Sequence, residues 1–273
     1  MSIATREKHL PGVWRVGLSR MRIELLTFVR DREAAFFTMI LPVLLLVVFG
    51  SAFSGDVAKG VPFSQYFLAG MIASGIVYTS FQNLAISIPQ ERDDGTLKRL
   101  QGTPMPKAAY FVGKVGLVLL VYVVQVAALM ALGVALFGVH LPTRPADWWT
   151  FGWLSVLGLT CCTLLGIGFS SLARTGRGAP ALVSPVVLVL QFTSGVFFQY
   201  DELPGWMQQF AALFPLKWLC QGMRSVFLPD TFQNRELAGS WELDRVALIL
   251  LVWSAAALVV ATRYFRWRRR DDG

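Results

Sequence analysis

Residues 88–106 read Ile88-Pro-Gln-Glu-Arg-Asp-Asp-Gly-Thr-Leu-Lys-Arg-Leu-Gln-Gly-Thr-Pro-Met-Pro106. This polar stretch has an apolar run on each side, Tyr66 to Ile88 before it and Val115 to Val139 after it. A helix needs roughly 20 apolar residues to cross a bilayer core, so both flanks are candidate membrane spans and the stretch is a loop on one membrane face. The loop prescribes its own short helix. Pro89 ends the apolar helix, Asp93 or Asp94 can N-cap a new one, and Lys98 and Arg99 suit its C-terminal end. Gly102 is a natural residue just past that end, and Pro104 blocks continuation. A helix of about two turns follows, with Leu97 and Leu100 on an edge too small to fold alone. That edge rests either on the chain's own bundle, as a capped connector, or on a partner.

Four further apolar runs lie outward from there: Phe36 to Phe53, Trp148 to Leu172, Ala179 to Tyr200 and Val246 to Thr262. None of the six runs contains Asp, Glu, Lys, Arg or His. With 55% hydrophobic and only 15% charged residues, a soluble domain of this length could not cover itself with polar surface. An ordinary cytosolic enzyme and a nucleic-acid-binding domain are thereby excluded. Pro42 and Pro185 fall inside runs and predict kinks rather than breaks, because neighbouring helices can satisfy the freed carbonyls. The first run begins at residue 36 with no A-x-A site before it, so no cleaved signal is expected.

The excess of basic residues, 25 Lys and Arg against 17 Asp and Glu, is informative by position. The segment before the first run, the 88–114 connection, the loop with Arg174 and Arg177, and the tail from Arg263 together hold 19 of the basic residues; the alternate segments hold 6. The positive-inside rule then places both termini in the cytoplasm and makes the number of spans even. Leu203 to Leu219 threatens this parity, but Pro204, Pro215, two glutamines and Lys217 make it a poor span. It reads as a broken, interfacial or re-entrant helix on the outer face. Trp148, Trp149, Trp153, Trp206, Trp218, Trp241 and Trp253 fall towards that face, as an interfacial belt does. In residues 11–35, Trp14, Leu18, Met21, Leu25 and Phe28 form a helical stripe with Arg15, Arg22 and Arg30 off it. That pattern describes an amphipathic helix in the inner headgroup layer, either an anchor or an elbow that transmits force.

The segment Glu91 to Pro104 resembles the E-x-x-x-G-T-L-x-x-L-x-x-T-P signature of type-2 ABC exporter permeases, and more closely the bacterial drug-resistance branch typified by the daunorubicin exporter. Arg30-Asp-Arg-Glu-Ala-Ala-Phe-Phe-Thr-Met-Ile-Leu-Pro42 is similar to that family's entry into its first span. Ser194-Gly-Val-Phe-Phe-Gln-Tyr-Asp-Glu-Leu-Pro-Gly-Trp206, with Phe214-Pro215 and Gly222-Met-Arg224, is similar to its fifth span and outer hairpin. The resemblance covers about residues 15 to 262. Gln199 departs from it, where the family often has proline. The resemblance implies an all-α integral membrane protein of the bacterial inner membrane. It has six transmembrane helices, an N-terminal amphipathic helix within 1–35, a membrane domain over 36–262, and a basic tail over 263–273. A coupling helix at about 90–102 and an outer re-entrant segment at about 201–228 complete it.

The same resemblance implies two partners, a second permease copy (identical or a close paralogue) and an ATP-binding cassette subunit that holds ATP and Mg. No G-x-x-x-x-G-K-[ST] occurs in the chain, so it has no phosphate-cradling loop of its own. Ion-driven carriers usually place an ionisable residue within a span, and these runs have none. No catalytic residue, metal site or bound cofactor is expected; the three cysteines form no C-x-x-C. Coupling to the ATPase falls to Glu91, Asp94, Gly95, Thr96, Leu97 and Leu100. Glu91 would orient the helix, Leu97 would fill a pocket, and Gly95 would sit where little room is left. Polar residues inside runs mark a substrate path or glue between helices: Thr79, Gln82 and Asn83 in the second run, and Ser184, Gln191 and Ser194 on one face of the fifth. Phe197 and Phe198 form an outer constriction or pack in the core. The expected cargo is a hydrophobic drug, natural product or lipid-like molecule, with lipid-linked glycans and an ion-driven carrier as the alternatives.

Overall fold

The computed structural model describes residues 12–53 and 55–265. Arg6, Lys8 and His9, and the tail arginines at 266–270, lie outside the described residues. The N-terminal helix α1 (Val13–Arg30) and the short α2 (Arg32–Ala35) lead into a single π-helical turn, Phe36–Ile40, and then α3 (Leu41–Ala52). Pro42 opens α3, and the wide turn lies directly before it. Proline lacks the donor that a carbonyl one turn upstream would need, and a π-turn is one way a helix absorbs such a mismatch.

A small antiparallel hairpin, β1 (Asp56–Ala58) and β2 (Val61–Pro62), is the one departure from an all-helical chain among the described residues. Next come α4 (Phe63–Ile76), a second π-helical stretch Val77–Gln82, and α5 (Asn83–Asp93). These run on as one 31-residue rod, Phe63–Asp93. Pro89 was expected to end this helix, and it does not: it lies inside α5. The turn beyond it is held from outside by ties to other elements, described below, which outweigh the lost hydrogen bond. Helix α6 (Thr96–Gln101) is the short loop helix, followed by α7 (Lys107–Phe137) and α8 (Pro145–Phe169). The last third holds α9 (Ala179–Thr193), α10 (Gly205–Ala212), α11 (Pro215–Phe227) and α12 (Leu243–Tyr264).

Four of these rods are long and apolar enough to cross a membrane: Phe63–Asp93, Lys107–Phe137, Pro145–Phe169 and Leu243–Tyr264. Phe36–Ala52 and Ala179–Thr193 are apolar but shorter. The 31 residues of α7 make a rod of roughly 46 Å, well beyond a core of roughly 30 Å, so its polar first turns reach past the hydrocarbon. The stretch 203–219 is broken at Leu213 and Phe214 between α10 and α11. At 13 residues, α11 is roughly 20 Å long, too short to cross. All of its residues are buried, and it packs against α4, α8 and α12. From Ser64 to Ile76, α4 is buried on every side. The core is centred on these two helices.

The N-terminal stripe is divided rather than laid on one surface. α1 packs along α7, where Gly17 and Gly113 bring the rods together: a Cβ at Gly17 would lie 2.5 Å from Val112 Cγ1, and one at Gly113 2.7 Å from Arg20 Cγ. Small residues permit such close approach. Phe28 is buried with Leu117 and Val121, whereas Trp14 and Leu18 remain exposed at 74% and 63%. The C-terminal end of the stripe therefore binds the bundle, and its N-terminal end stays exposed.

Candidate functional site

Four ionisable side chains meet where α1, α5 and α7 come together. Lys114 of α7 places Nζ 2.6 Å from Glu91 Oε1 and 2.9 Å from Glu24 Oε2. Arg20 reaches the same two carboxylates, at 2.6 Å to Glu24 and 3.5 Å to Glu91. The Tyr110 hydroxyl donates to Glu91 Oε2 at 2.8 Å, and both cations stand over its ring at under 6 Å. Two cations and two carboxylates balance, which is what allows Lys114 and Glu24 to be almost wholly buried. The sequence reading singled out Glu91 alone. Arg20 and Glu24 are an i,i+4 pair on α1, and Lys114 lies at the start of a different segment; only the fold brings that pair to Lys114 and Glu91.

The turn that follows carries two more ties. Arg92 Nη2 donates to the Ser170 carbonyl at 2.9 Å, and the Gly176 N–H donates to Asp93 Oδ2 at 2.6 Å. These fix the end of α5 to the 170–178 loop. Gly176 sits directly on the α5 backbone, since a Cβ there would lie 2.6 Å from Gln90 Cα. Asp93 and Asp94 do not N-cap α6 as expected. Asp93 is turned to Gly176, and the N-cap residue is Gly95, at φ +71°. The reason for glycine is therefore conformation, because nothing lies within 4 Å of a Cβ built there.

Leu97 is fully buried in the chain's own core, with Leu100 packed against that core. The surface of α6 and its approaches is built instead from exposed Asp94, Lys98, Arg99 and Gln101, with Thr96 half-buried. Arg99 Nη2 lies 3.3 Å from both the Asp94 carbonyl and Thr96 Oγ1, bracing the turn.

A family model described as ABC-2 type transporter matches residues 19–228. The chain belongs to that family. The match takes in α6 and the joint of α1, α5 and α7 behind it. The chain is similar to the inner membrane transport permease YadH of Escherichia coli (strain K12), 24% identical over 225 residues, which is 80% of this chain and 82% of that protein. YadH of Shigella flexneri matches to the same extent. The YvfS protein of Bacillus subtilis (strain 168) is 20% identical over 196 residues, 70% of this chain and 77% of YvfS. These likenesses and the apolar helices make this ABC-2 chain an integral membrane protein of the transport permease kind.

The polar residues inside the rods of this ABC-2 permease are only partly gathered. Thr79 is buried, and its hydroxyl is spent on the Gly75 carbonyl at 2.7 Å. It lies in the Val77–Gln82 π-helix, whose Tyr78 stands beside buried Gln191 of α9. Ser194 is buried, but Ser184 is exposed on α9 and apart from the other two. Gln82 and Asn83 are half-buried. Gln125 of α7 was not foreseen; it is fully buried, and its Oε1 is 3.0 Å from a Cβ built at Gly75. Ser74, Gln82, Asn83, Gln125 and Ser194 each keep a buried polar atom without a hydrogen-bond partner among the described residues. Such atoms cost about 1–3 kcal/mol each in apolar surroundings.

Just past the end of α9, Phe197 is buried among Phe49, Phe67 and Phe192, with ring centroids 5.7, 6.0 and 4.9 Å away. Phe198 is 51% exposed and touches only Phe192 among the rings described.

Proposed function

We propose that this chain is the membrane subunit of an ATP-binding cassette exporter that moves hydrophobic drugs, natural products or lipid-like molecules outward. ATP and Mg are held by a separate subunit. The observation that carries the reading is the ABC-2 match over residues 19–228; the absence of a phosphate loop from the sequence supports it. Six helices cross the bacterial inner membrane, with the two shorter apolar rods as the first and fifth spans, and both termini are cytoplasmic. The 19-to-6 distribution of basic residues supports that orientation.

In this reading α6 docks on the ATPase. The docking face is Asp94, Thr96, Lys98, Arg99 and Gln101, while Leu97 and Leu100 anchor the helix to its own bundle. Gly95 sets the angle between α5 and α6. A push on α6 passes into α5, and the Arg20–Glu24–Lys114–Glu91 joint hands it to α1 and α7. The second copy covers the exposed apolar face of α9 and α10, where Leu188, Val189, Phe192, Trp206, Met207 and Phe210 line a groove of about 310 Å³. Gln82, Asn83, Gln125 and Gln191 offer amides to an uncharged, amphipathic cargo between the rods, with Thr79, Ser184 and Ser194 as weaker members of the path.

Co-purification tests the assignment. The chain, co-expressed with its ATP-binding subunit, should bring that subunit through detergent extraction and hydrolyse ATP only in the complex. Robust hydrolysis by the chain alone, with contaminants excluded, would overturn it.

A further inference from the structure

A second buried ion pair sits at the opposite end of the molecule. Arg224 of α11 is 1% exposed, and its Nε lies 2.6 Å from Glu236 Oε1, also buried. The guanidinium stands 5.5 Å from the centre of the Tyr66 ring, and its Nη1 is 3.4 Å from the Gly195 carbonyl. The Tyr66 hydroxyl lies 3.0 Å from that same carbonyl and 3.2 Å from the Phe198 carbonyl. Two residues from two different helices thus hold the turn that closes α9.

The turn leaves no freedom of its own. Gly195 has φ +78°, and a Cβ there would meet Tyr200 Cβ at 2.9 Å, with Arg224 Nη1 and the Tyr66 hydroxyl each at 3.3 Å. The next residue, Val196, lies against Gly70 of α4, its Cα only 3.2 Å from where a Cβ would be. Phe197 follows and is seated among Phe49, Phe67 and Phe192. Arg235, beside Glu236, donates to Gln199 Oε1 at 2.7 Å. Leu228 and Phe232 of the same loop pack with Tyr66, Val57 and Val61 in a satellite core.

We propose that Tyr66, Arg224 and Glu236 are positioning residues for an outer gate: they clamp the Gly195–Phe198 turn and so hold Phe197 against Phe49 and Phe67 in the closed exit. Phe197 cannot leave its aromatic neighbours unless the turn moves, and the turn cannot move without giving up donors that come from α4 and α11. Glu236 makes a cation tolerable at a buried position, because an unpaired guanidinium there would be strongly destabilising. A buried ion pair adds little stability over apolar packing but fixes one geometry, which is what a gate with two discrete positions requires. The inference rests on the exporter reading, since a gate presupposes passage.

The test uses Ser194→Cys, a near-isosteric reporter beneath the turn, in a chain whose Cys161, Cys162 and Cys220 are alanine. A membrane-impermeant methanethiosulfonate reagent is added from outside. In the resting chain, labelling should be slow with the clamp intact and roughly fivefold to tenfold faster in Tyr66→Phe, which removes the hydroxyl without a change of shape. Glu236→Gln should accelerate it further. Partner co-purification should be unchanged in Tyr66→Phe and its melting temperature should fall by no more than a few degrees, which separates gating from general damage. Equal labelling rates in the parent and Tyr66→Phe, both folded, overturn the clamp; should Glu236→Gln fail to fold, Tyr66→Phe decides alone. A second arm adds the ATP-loaded partner. If ATP leaves the parent rate unchanged while Tyr66→Phe still accelerates labelling, the exporter reading fails and the clamp stands.

Discussion

Lys114 Nζ stands within 3 Å of both Glu91 and Glu24, with its side chain only 3% exposed. A single ammonium therefore joins α1, α5 and α7 within reach of the short α6. Its chemistry suits the place. The three donors of a lysine can serve two carboxylates and a hydroxyl at once, and Ser87 Oγ lies 3.4 Å away as the third acceptor.

Replacing Lys114 by methionine leaves two carboxylates to share Arg20 alone, one buried cation short of balance. The expected loss is on the order of 3–5 kcal/mol, read as a lower melting temperature in detergent. Adding Glu24→Gln should recover part of it, because one of the stranded charges is removed. A double-mutant cycle on Lys114 and Glu24 measures this, and a coupling energy near zero would mean that the joint is not what holds α1 to α7.

Gly95 should accept asparagine and refuse valine. At φ +71° a β-branched residue costs roughly 1–2 kcal/mol, whereas asparagine visits this region more readily. Since nothing crowds the site, size is not the issue. The expected outcome for Gly95→Val is an altered α6 angle, with partner-dependent ATP hydrolysis retained and export reduced. Export and ATPase rates of the parent and the two variants, compared side by side, decide the matter.

The two faces of α6 should fail differently. Leu97→Ala opens a cavity in the chain's own core, at about 2–5 kcal/mol, so melting temperature falls whether or not a partner is present. Lys98→Glu with Gln101→Glu changes exposed side chains and leaves the Arg99 brace in place, so the isolated chain should lose far less stability than with Leu97→Ala while the yield of co-purified ATPase falls at least severalfold. Pull-down beside thermal unfolding separates the two.

Lys217 gives a pH signature. Burial lowers its pKa to about 8, with Glu236 and Glu242 opposing that shift and Arg224 and Arg245 adding to it. Its ordinary value is 10.5. Between the two values the unfolded chain holds a proton that the folded chain has released, so this group makes stability rise with pH across that window and adds no slope below it. Lys217→Met should flatten the rise between pH 8 and 10.5, and melting curves of both chains over that range measure it.

Much of the architecture was written in local patterns. Runs of 20 or so apolar residues need no tertiary context to be recognised, and the turn signals around Gly95 and Pro104 mark a short helix wherever it packs. Pro89 misled, because a helix can pass through proline when outside partners hold the next turn, and Lys114, Ser170 and Gly176 are distant in sequence. Leu97 was ambiguous for a related reason: an apolar edge shows that something covers it, without showing what. The joint itself was invisible. Arg20 and Glu24 are ordinary charges of the amphipathic N-terminal segment and Lys114 one at the edge of an apolar run, and their meaning comes from glycines at 17 and 113 that let two helices touch. Gln125 lies inside an apolar run and is buried like Gln191, so a full count of polar residues within the runs finds it too.

The central claim is that this chain moves cargo with energy supplied by a separate ATPase. The direct measurement is uptake of daunorubicin, a fluorescent amphipathic probe, into inside-out proteoliposomes, with ATP hydrolysis recorded in the same sample and ion gradients collapsed by ionophores. Uptake and hydrolysis should occur only when chain, partner and ATP are all present, and both should survive the ionophores. Uptake by the chain alone, driven by an imposed proton or sodium gradient and indifferent to ATP, would contradict it.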